Sequence, residues 1–551
     1  MLLQETEKIE STCVNLVEPE KLGYSRLYLD FVRDRKPARD YYLAGSLEAT
    51  AHEIDRHDYD RGRLVEILTN QNRAYGASDA AFANIKRLND PQTVCVFTGQ
   101  QAGLFGGPLL TLIKALGIVK AARSYTEQLG RPVIPIFWIA GDDHDFEEAN
   151  HTFVLNRSSD LCKHSYNTAP KEESPTAEIR FDDTEELNRL YSQMRECLGE
   201  TDFTDDLYTL LERCYTGSDT LVTAFGKLMS ALTADLGLVL FSPGDAEAKQ
   251  LARPFFEAIV EKQDELHRRL GEANGRLEVD GYHIQVEKKD NAAHLFYNRG
   301  GRKPVLQDGD RFVAGDDSFS KDELLALIER EPERFSTDVM TRPPLQSYLF
   351  PTLSQKGGPA EIAYLAQLNP LFELFDLPTP VHRARPTATI VETRFRQQMN
   401  QMEITFEDLT GDIEQTVNRV LAKSFPEDLE RDFGQLRGTV ESAFRKLIDE
   451  ALEFEPGMKK FAEQVFGKVD YQIKAFESKA FAAHKKKSQQ TRDRIYRINN
   501  ALYTQHGLQE RTLNITYFLS RYGTGIVNYI YDRLDSEETA HQLICLEEYQ
   551  S

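Results

Sequence analysis

Three stretches of apolar residues at 4-3-4-3 spacing in the last third of the chain constrain its fold more than any other feature. Phe395, Met399, Met402, Phe406, Leu409, Ile413, Thr416 and Val420 form the first. Leu429, Phe433, Leu436, Val440, Ala443 and Leu447 form the second, and Ala462, Phe466, Val469, Ile473, Phe476, Ala480 and Ala483 the third. A repeat of about 3.5 residues keeps one helix seam against a partner helix, so the spacing predicts a coiled coil. Pro426 should kink the first arm, and Pro456 with Gly457 should reverse it. The expectation is an antiparallel hairpin over residues 393–505, with its return arm slipping register near Lys487.

Upstream, the texture is α/β. Thr93 to Phe97 reads as a strand, followed by a loop with Gly99, Gly103, Gly106 and Gly107 and an apolar helix from Leu109 to Ala122. Val133 to Ala140 is a second buried strand ending at Gly141, and Leu236 to Phe241 a third, preceded by a helix over 220–234. Strand, helix, strand at these lengths implies right-handed crossovers and a parallel sheet. The charged stretch near 156–216 reads as an insertion, and the alternating stretch from Tyr282 to Val313 as antiparallel hairpins. The expected order is therefore core (1–155), insertion (156–216), core (217–270), hairpin insertion (271–337), core (338–392), coiled coil (393–505) and a C-terminal segment (506–551) returning to the core.

Charge narrows the function classes. With 66 Lys and Arg against 88 Asp and Glu in 551 residues, the net charge is −22, and such a surface repels a phosphate backbone. General nucleic-acid binding is not expected. No apolar run approaches the roughly 20 residues a bilayer needs, and the acidic start MLLQETEKIE lacks a secretory pattern, so a cytoplasmic protein is expected. Cys13, Cys95, Cys162, Cys197, Cys214 and Cys545 include no C-x-x-C pair, and most of them read as small buried apolar residues.

Three clusters could carry chemistry. The loop Thr98, Gly99, Gln100, Gln101 to Gly103, Gly106 and Gly107 lies between a strand and a helix, where backbone amides can approach an anion, although it has no G-K-[ST]. Lys114, one turn into that helix, would reach a phosphate or lie in solvent. Asp143, His144 and Asp145 fall past the end of a buried strand, where open α/β sheets place ligands. They suit general acid/base work, binding of an amino group, or magnesium. If the segment is helical, His144, Glu148 and His151 share a face suited to zinc, so the metal stays open. Gly357, Gly358, Glu361 and Tyr364 repeat the glycine-loop logic at a second helix entry, where Glu361 would also favour the helix dipole. Lys487, Arg494 and Arg497 belong to a basic stripe that reads as a solvated face or a second phosphate site.

The segments FTGQQAGLFGGPLLTLIKA, PIFWIAGDDHDFEEANH, GYHIQV, PERFSTDVMTRP, KGGPAEIAYLAQL and GLQERTLNITYFLSRYG, in this order, resemble the BshC family of cysteine-adding enzymes of bacillithiol biosynthesis. The resemblance runs from about residue 20 to 530. It implies a Rossmann-like core with connective-peptide insertions, a coiled-coil domain and a homodimer. It also implies a ligase that joins cysteine to glucosaminyl malate. Amide formation from a free carboxyl group in water needs activation, so an ATP-derived adenylate or phosphate is expected, with the glycine loops binding phosphate and His144, paired with Asp143 or Asp145, assisting proton transfer. The class I synthetase signatures HIGH and KMSKS are absent. Two alternatives stand beside the ligase: a non-catalytic, nucleotide-responsive coiled-coil protein, and a synthetase-like nucleotidyltransferase. Gln509, Glu510 and Arg511 match the family where the chain returns from the coiled coil, a junction at which they would be structural.

Overall fold

A computed structural model describes residues 14–42, 45–169, 174–423 and 425–549. Cys13 and the acidic N-terminal decapeptide lie outside the described residues. The chain forms two compact units, one up to Glu392 and from Gly507 onward, the other Thr393–His506.

The first unit is built on five parallel strands: β1 (Val94–Gln100), β2 (Val133–Ile139), β3 (Val239–Phe241), β4 (Thr352–Gly357) and β5 (Val381–Ala384). Their order across the sheet is β3-β2-β1-β4-β5. This is a doubly wound arrangement whose direction of winding reverses between β1 and β4. β2 is buried along its whole length, because helices cover both faces and the strand can be continuously apolar. The helix after β1 runs Leu110–Leu129, longer than its apolar stretch suggested, and stops at Gly130 in the left-handed conformation. β3 is shorter than the 236–241 expected, since Ala234–Leu236 forms a 3-10 turn.

The insertions follow the sequence in outline. Leu161–Ser165 pairs antiparallel with His151–Leu155, and helices Thr184–Leu198 and Thr204–Cys214 follow. The second insertion is a five-stranded antiparallel sheet containing Ala292–Asn298, Arg302–Asp308, Arg311–Ala314, Asp317–Ser320 and Phe335–Thr337. Its first strand starts later than expected, and the chain at Tyr282–Val286 is not a strand: Gln367 clasps Val286 through both its amide and carbonyl groups (3.2 and 3.0 Å). The C-terminal strand His541–Cys545 lies between Val14–Val17 and Ala388–Val391 in a separate three-stranded sheet. Among the described residues no helix is long and apolar enough to cross a membrane.

The second unit holds a helical hairpin, Glu427–Phe454 and Lys459–Lys487, reversed by a turn at Pro456–Met458. Ring contacts Phe433–Phe476 (5.2 Å) and Phe444–Phe466 (5.7 Å) establish the antiparallel pairing, with Arg437–Glu477 (3.1 Å) flanking them. Two details differ from the heptad reading. The first stretch is three helices, Thr393–Met402, Phe406–Thr410 and Ile413–Lys423, broken at Glu403, whose φ is +51°, and near Gly411. In the outgoing arm the seam moves from Ala443 and Leu447, both exposed, to Phe444 and Ile448. A straight helix drifts against a strict seven-residue repeat, and the larger side chains capture the seam. The return arm ends at Lys487, and Gln489–Leu502 begins a new helix after Ser488.

Candidate active site at the sheet switch point

The carboxyl ends of β1 and β4 frame a cavity of about 450 Å³ at the point where the winding reverses. Gly99, Gln100 and Gln101 form one wall, and Gly358, Glu361 and Tyr364 form another. A side chain at Gly99 would meet the Trp138 carbonyl, since a Cβ there would lie 2.8 Å from that oxygen. Glycine is thus required for β1 and β2 to close together beneath the cavity.

The charged groups come from distant parts of the sequence. Lys114, 4% exposed, donates to Gly99 O (2.9 Å), Gln100 Oε1 (2.9 Å) and Glu361 Oε2 (2.8 Å). Glu361 also accepts from the Gly358 amide (2.9 Å), closing the start of the helix Pro359–Leu365. Burial pushes the Lys114 ammonium below its ordinary range, against the opposing pull of Glu361. Burial would raise Glu361, but the Lys114 charge and the Gly358 amide outweigh it and hold the carboxyl low. Lys114 is therefore neither solvated nor a free phosphate ligand. It ties the two glycine loops together across the switch point.

Arg342, Arg385 and Arg511 also line the cavity. Arg342 donates to the Tyr364 hydroxyl (3.0 Å), and its guanidinium lies 5.8 Å from the centre of the Trp138 ring. Arg385, 3% exposed just past β5, pairs with fully buried Glu510 (2.6 Å) and donates to Pro386 O (2.9 Å). Its Nε has no hydrogen-bond partner among the described residues. Glu510 further accepts from the Ala388 amide (2.9 Å), and Gln509 brackets Ile390 N and O (2.8 and 2.9 Å). The junction residues thus split: Gln509 and Glu510 hold the chain and orient Arg385, whereas Arg511 faces the cavity.

Other residues singled out from sequence have different places. Thr98 is buried and donates to Lys356 O (3.0 Å). Gly106 and Gly107 are buried at φ +88° and +70°, and their amides donate to Gly103 O (3.1 Å) and Leu104 O (3.0 Å). They build a turn that Asn514 clamps from Phe105 O and Gly107 O, and they do not line the cavity. Gly103 and His151 border a smaller neighbouring chamber, while Gly357 is buried within β4. His151 donates from Nδ1 to Glu147 O (2.8 Å).

The acidic cluster is divided among protein partners. Asp142 pairs with buried Lys249 (2.6 Å). Asp143 accepts from Gln101 and from the His144 amide, and Asp145 caps the four-residue helix Phe146–Ala149 by accepting from Glu148 N (3.0 Å). His144 Nδ1 lies 3.3 Å from Arg302 Nη1 and 3.8 Å from Asp143 Oδ1. Arginine can only donate, so in this contact Nδ1 is the acceptor and Nε2 is the ring's donor position. In this arrangement Nδ1 is engaged by Arg302, and general-base use of His144 would require that contact to be released.

The zinc face also fails. His144 precedes the short helix and His151 begins the strand His151–Leu155, so with Glu148 they share no helical face. Among the described residues no group of three His, Cys, Asp or Glu could hold a metal ion. Lys487, Arg494 and Arg497 are exposed in the second unit, where neighbouring Lys485 and Arg492 converge on Glu414 (3.3 and 2.5 Å). Cys95, Cys214 and Cys545 are buried as expected, but Cys162 and Cys197 are partly exposed.

Sequence reasoning missed Arg342 and Arg385. Arg342 carried a usable signal, standing beside Pro343 at a helix start, whereas Arg385 follows the mixed tetrapeptide Val381–Ala384, which has no apolar run to mark it as a strand.

The family model described as bacillithiol biosynthesis BshC, N-terminal Rossmann-like domain, matches residues 9–386, and the BshC C-terminal coiled-coil domain matches 388–546. A Koribacter versatilis protein named "Putative cysteine ligase BshC" is 33% identical over 526 residues, covering 94% of this chain and 97% of its own. Proteins of the same name from Bacillus cereus strain AH187 and Bacillus thuringiensis strain Al Hakam are each 30% identical over 525 residues, with the same coverage. Among solved structures, a Campylobacter jejuni chain titled "putative arginyl t-RNA synthetase" gives a TM-score of 0.20 at 9% identity, covering 78% of this chain and 92% of its own. That likeness is too slight to bear on fold or function.

Proposed function

This chain belongs to the BshC family of bacillithiol biosynthesis, and from that premise we propose that it is a ligase joining the carboxyl group of cysteine to the amine of glucosaminyl malate. The observation that carries the reading is the buried Arg385 Nε without a partner, on the wall of a cavity that also holds Arg342 and Arg511 in a protein of net charge −22. A buried donor left unpaired costs stability unless a ligand completes it. Cations concentrated at a sheet switch point suit a substrate bearing phosphate or carboxylate oxygens.

Under this reading the cosubstrate is ATP, whose phosphates would meet Arg385 and Arg342 while Lys114 keeps the two loops at fixed separation. Magnesium would enter with the phosphates, because Asp142 and Asp143 are already engaged and supply no cage of their own. His144 would contribute through Nε2–H as a donor to developing negative charge. The protein would work as a cytoplasmic homodimer. The second basic patch at Lys487, Arg494 and Arg497 stays outside this mechanism.

The test is mass-spectrometric detection of bacillithiol from purified protein, cysteine and glucosaminyl malate, with and without ATP and magnesium. Product only with ATP supports the ligase; product without it removes ATP from the mechanism. Failure to form product under either condition, with folded protein, rejects the reading.

A further inference from the structure

A second chamber of about 160 Å³ opens beside the main cavity and shares Gln100, Gln101, Glu148 and Arg511 with it. We infer that this chamber is the amino-acid subsite, taking a small zwitterion whose ammonium meets Glu148 and whose carboxylate meets Arg511. The inference rests on the ligase reading for its placement in a reaction, and on the chamber itself for its chemistry.

Three observations point the same way. The chamber presents one carboxylate and one guanidinium together, the charge pair that an α-amino acid complements at both ends. Its volume lies well below the roughly 300–1,000 Å³ of pockets for drug-sized ligands, so a long side chain would not enter. Its remaining walls include Gly103, Pro108, Ala149 and Phe153, which suit an apolar or weakly polar group. Beside them Thr152, 3% exposed, carries a buried hydroxyl with no hydrogen-bond partner among the described residues. A thiol on a single methylene fills that space and offers the hydroxyl a weak donor and acceptor. Because Arg511 borders both cavities, a carboxylate held there lies at the opening to the arginine-lined cavity, where an activating phosphate would be.

The pairing predicts a pattern that a purely structural role does not. Binding is measured by calorimetry with L-cysteine, cysteamine (no carboxylate) and 3-mercaptopropionate (no ammonium). Arg511→Gln should weaken L-cysteine by about 10–100-fold, the loss of a charge-assisted hydrogen bond, and leave cysteamine unchanged. Glu148→Gln should weaken L-cysteine comparably and leave 3-mercaptopropionate unchanged. L-leucine should not compete. Equal loss of all three ligands in a variant, unchanged L-cysteine binding in both, or no L-cysteine binding by the wild-type protein overturns the assignment. The two readings fail separately. Bacillithiol formation with an unchanged KM for cysteine in both variants sinks the subsite and keeps the ligase. The predicted analogue pattern without amide formation keeps the subsite and sinks the ligase.

Discussion

Lys114 and Glu361 meet across the switch point, and a double-mutant cycle on them tests whether the pair joins the two loops. Side-chain exposures are 4% for Lys114 and 22% for Glu361, so the pair is largely shielded from solvent. Lys114→Met leaves the carboxylate without its cation and removes a donor from Gly99 O and Gln100 Oε1. Breaking a buried pair from one side costs about 3–5 kcal/mol. The residual exposure of Glu361 and its retained Gly358 amide argue for the lower end, about 3 kcal/mol. Glu361→Gln keeps an acceptor for Gly358 and leaves Lys114 two of its three acceptors, at about 2 kcal/mol. With both charges removed, no ion is stranded, so the double variant should lose far less than the sum, with a coupling energy of about 2–3 kcal/mol.

The assay is urea unfolding followed by tryptophan fluorescence. Trp138 is the sole tryptophan and is buried in β2, so the signal reports the unit that contains the pair. The pH dependence gives a second check. In Lys114→Met, burial without the cation raises the Glu361 carboxyl, so the penalty is largest at neutral pH and shrinks as the pH falls and the folded protein takes up a proton. A single-variant cost below about 1 kcal/mol, or additive losses in the double variant, would refute the reasoning.

Three further predictions follow from other contacts. Asp338 is buried, which alone would raise its carboxyl, but the hydrogen bond and charge of His294, with Lys288 and the Thr341 amide, outweigh this and hold it below the usual carboxylate range. Its stabilisation is complete above the ordinary Asp value near 4 and is lost as the pH falls through the lowered folded value, so Asp338→Asn should flatten acid unfolding measured by fluorescence. In the hairpin, Phe444→Ala should lower helical stability by about 1–3 kcal/mol and Leu447→Ala, at a site 60% exposed, by under about 0.5, as read by circular dichroism and limited proteolysis; equal effects would restore the strict heptad seam. His144→Gln, which keeps an N–H donor, should retain bacillithiol formation within about tenfold while His144→Ala loses more; loss of activity in both alike would return His144 to the role of base.

The legible part of this fold is what local pattern can encode. β1 and β2 announced themselves as β-branched and apolar runs, because a strand covered on both faces has no alternation to obscure it. β5 and the strand Ala388–Val391 are four residues each, split by Arg385, Pro386 and Thr387, too short for a periodic signal. The glycine loop was visible but ambiguous: Gly99 and Gly107 share a residue type, yet one allows close approach of two strands and the other supplies a positive φ in a turn. Nothing local separates those uses.

The charged machinery shows the same limit more sharply. Lys114 and Glu361 are 247 residues apart and Arg385 and Glu510 are 125 apart, so neither pairing leaves a trace in spacing. Glu361 seemed explained by its helix start alone, and it does cap that helix, but the bond that the same Oε2 accepts from Lys114 depends on the sheet bringing β1 beside β4. That adjacency also predicts a dependence: a substitution that shifts β4 against β1, such as Thr98→Val, which removes the Oγ1 bond to Lys356 O, should loosen the cavity without touching it. We expect about 1–2 kcal/mol of destabilisation in the fluorescence transition and, if the proposed ATP use holds, a higher KM for ATP with kcat little changed. A change confined to kcat would mean that Thr98 acts on the reacting groups rather than on the spacing of the strands.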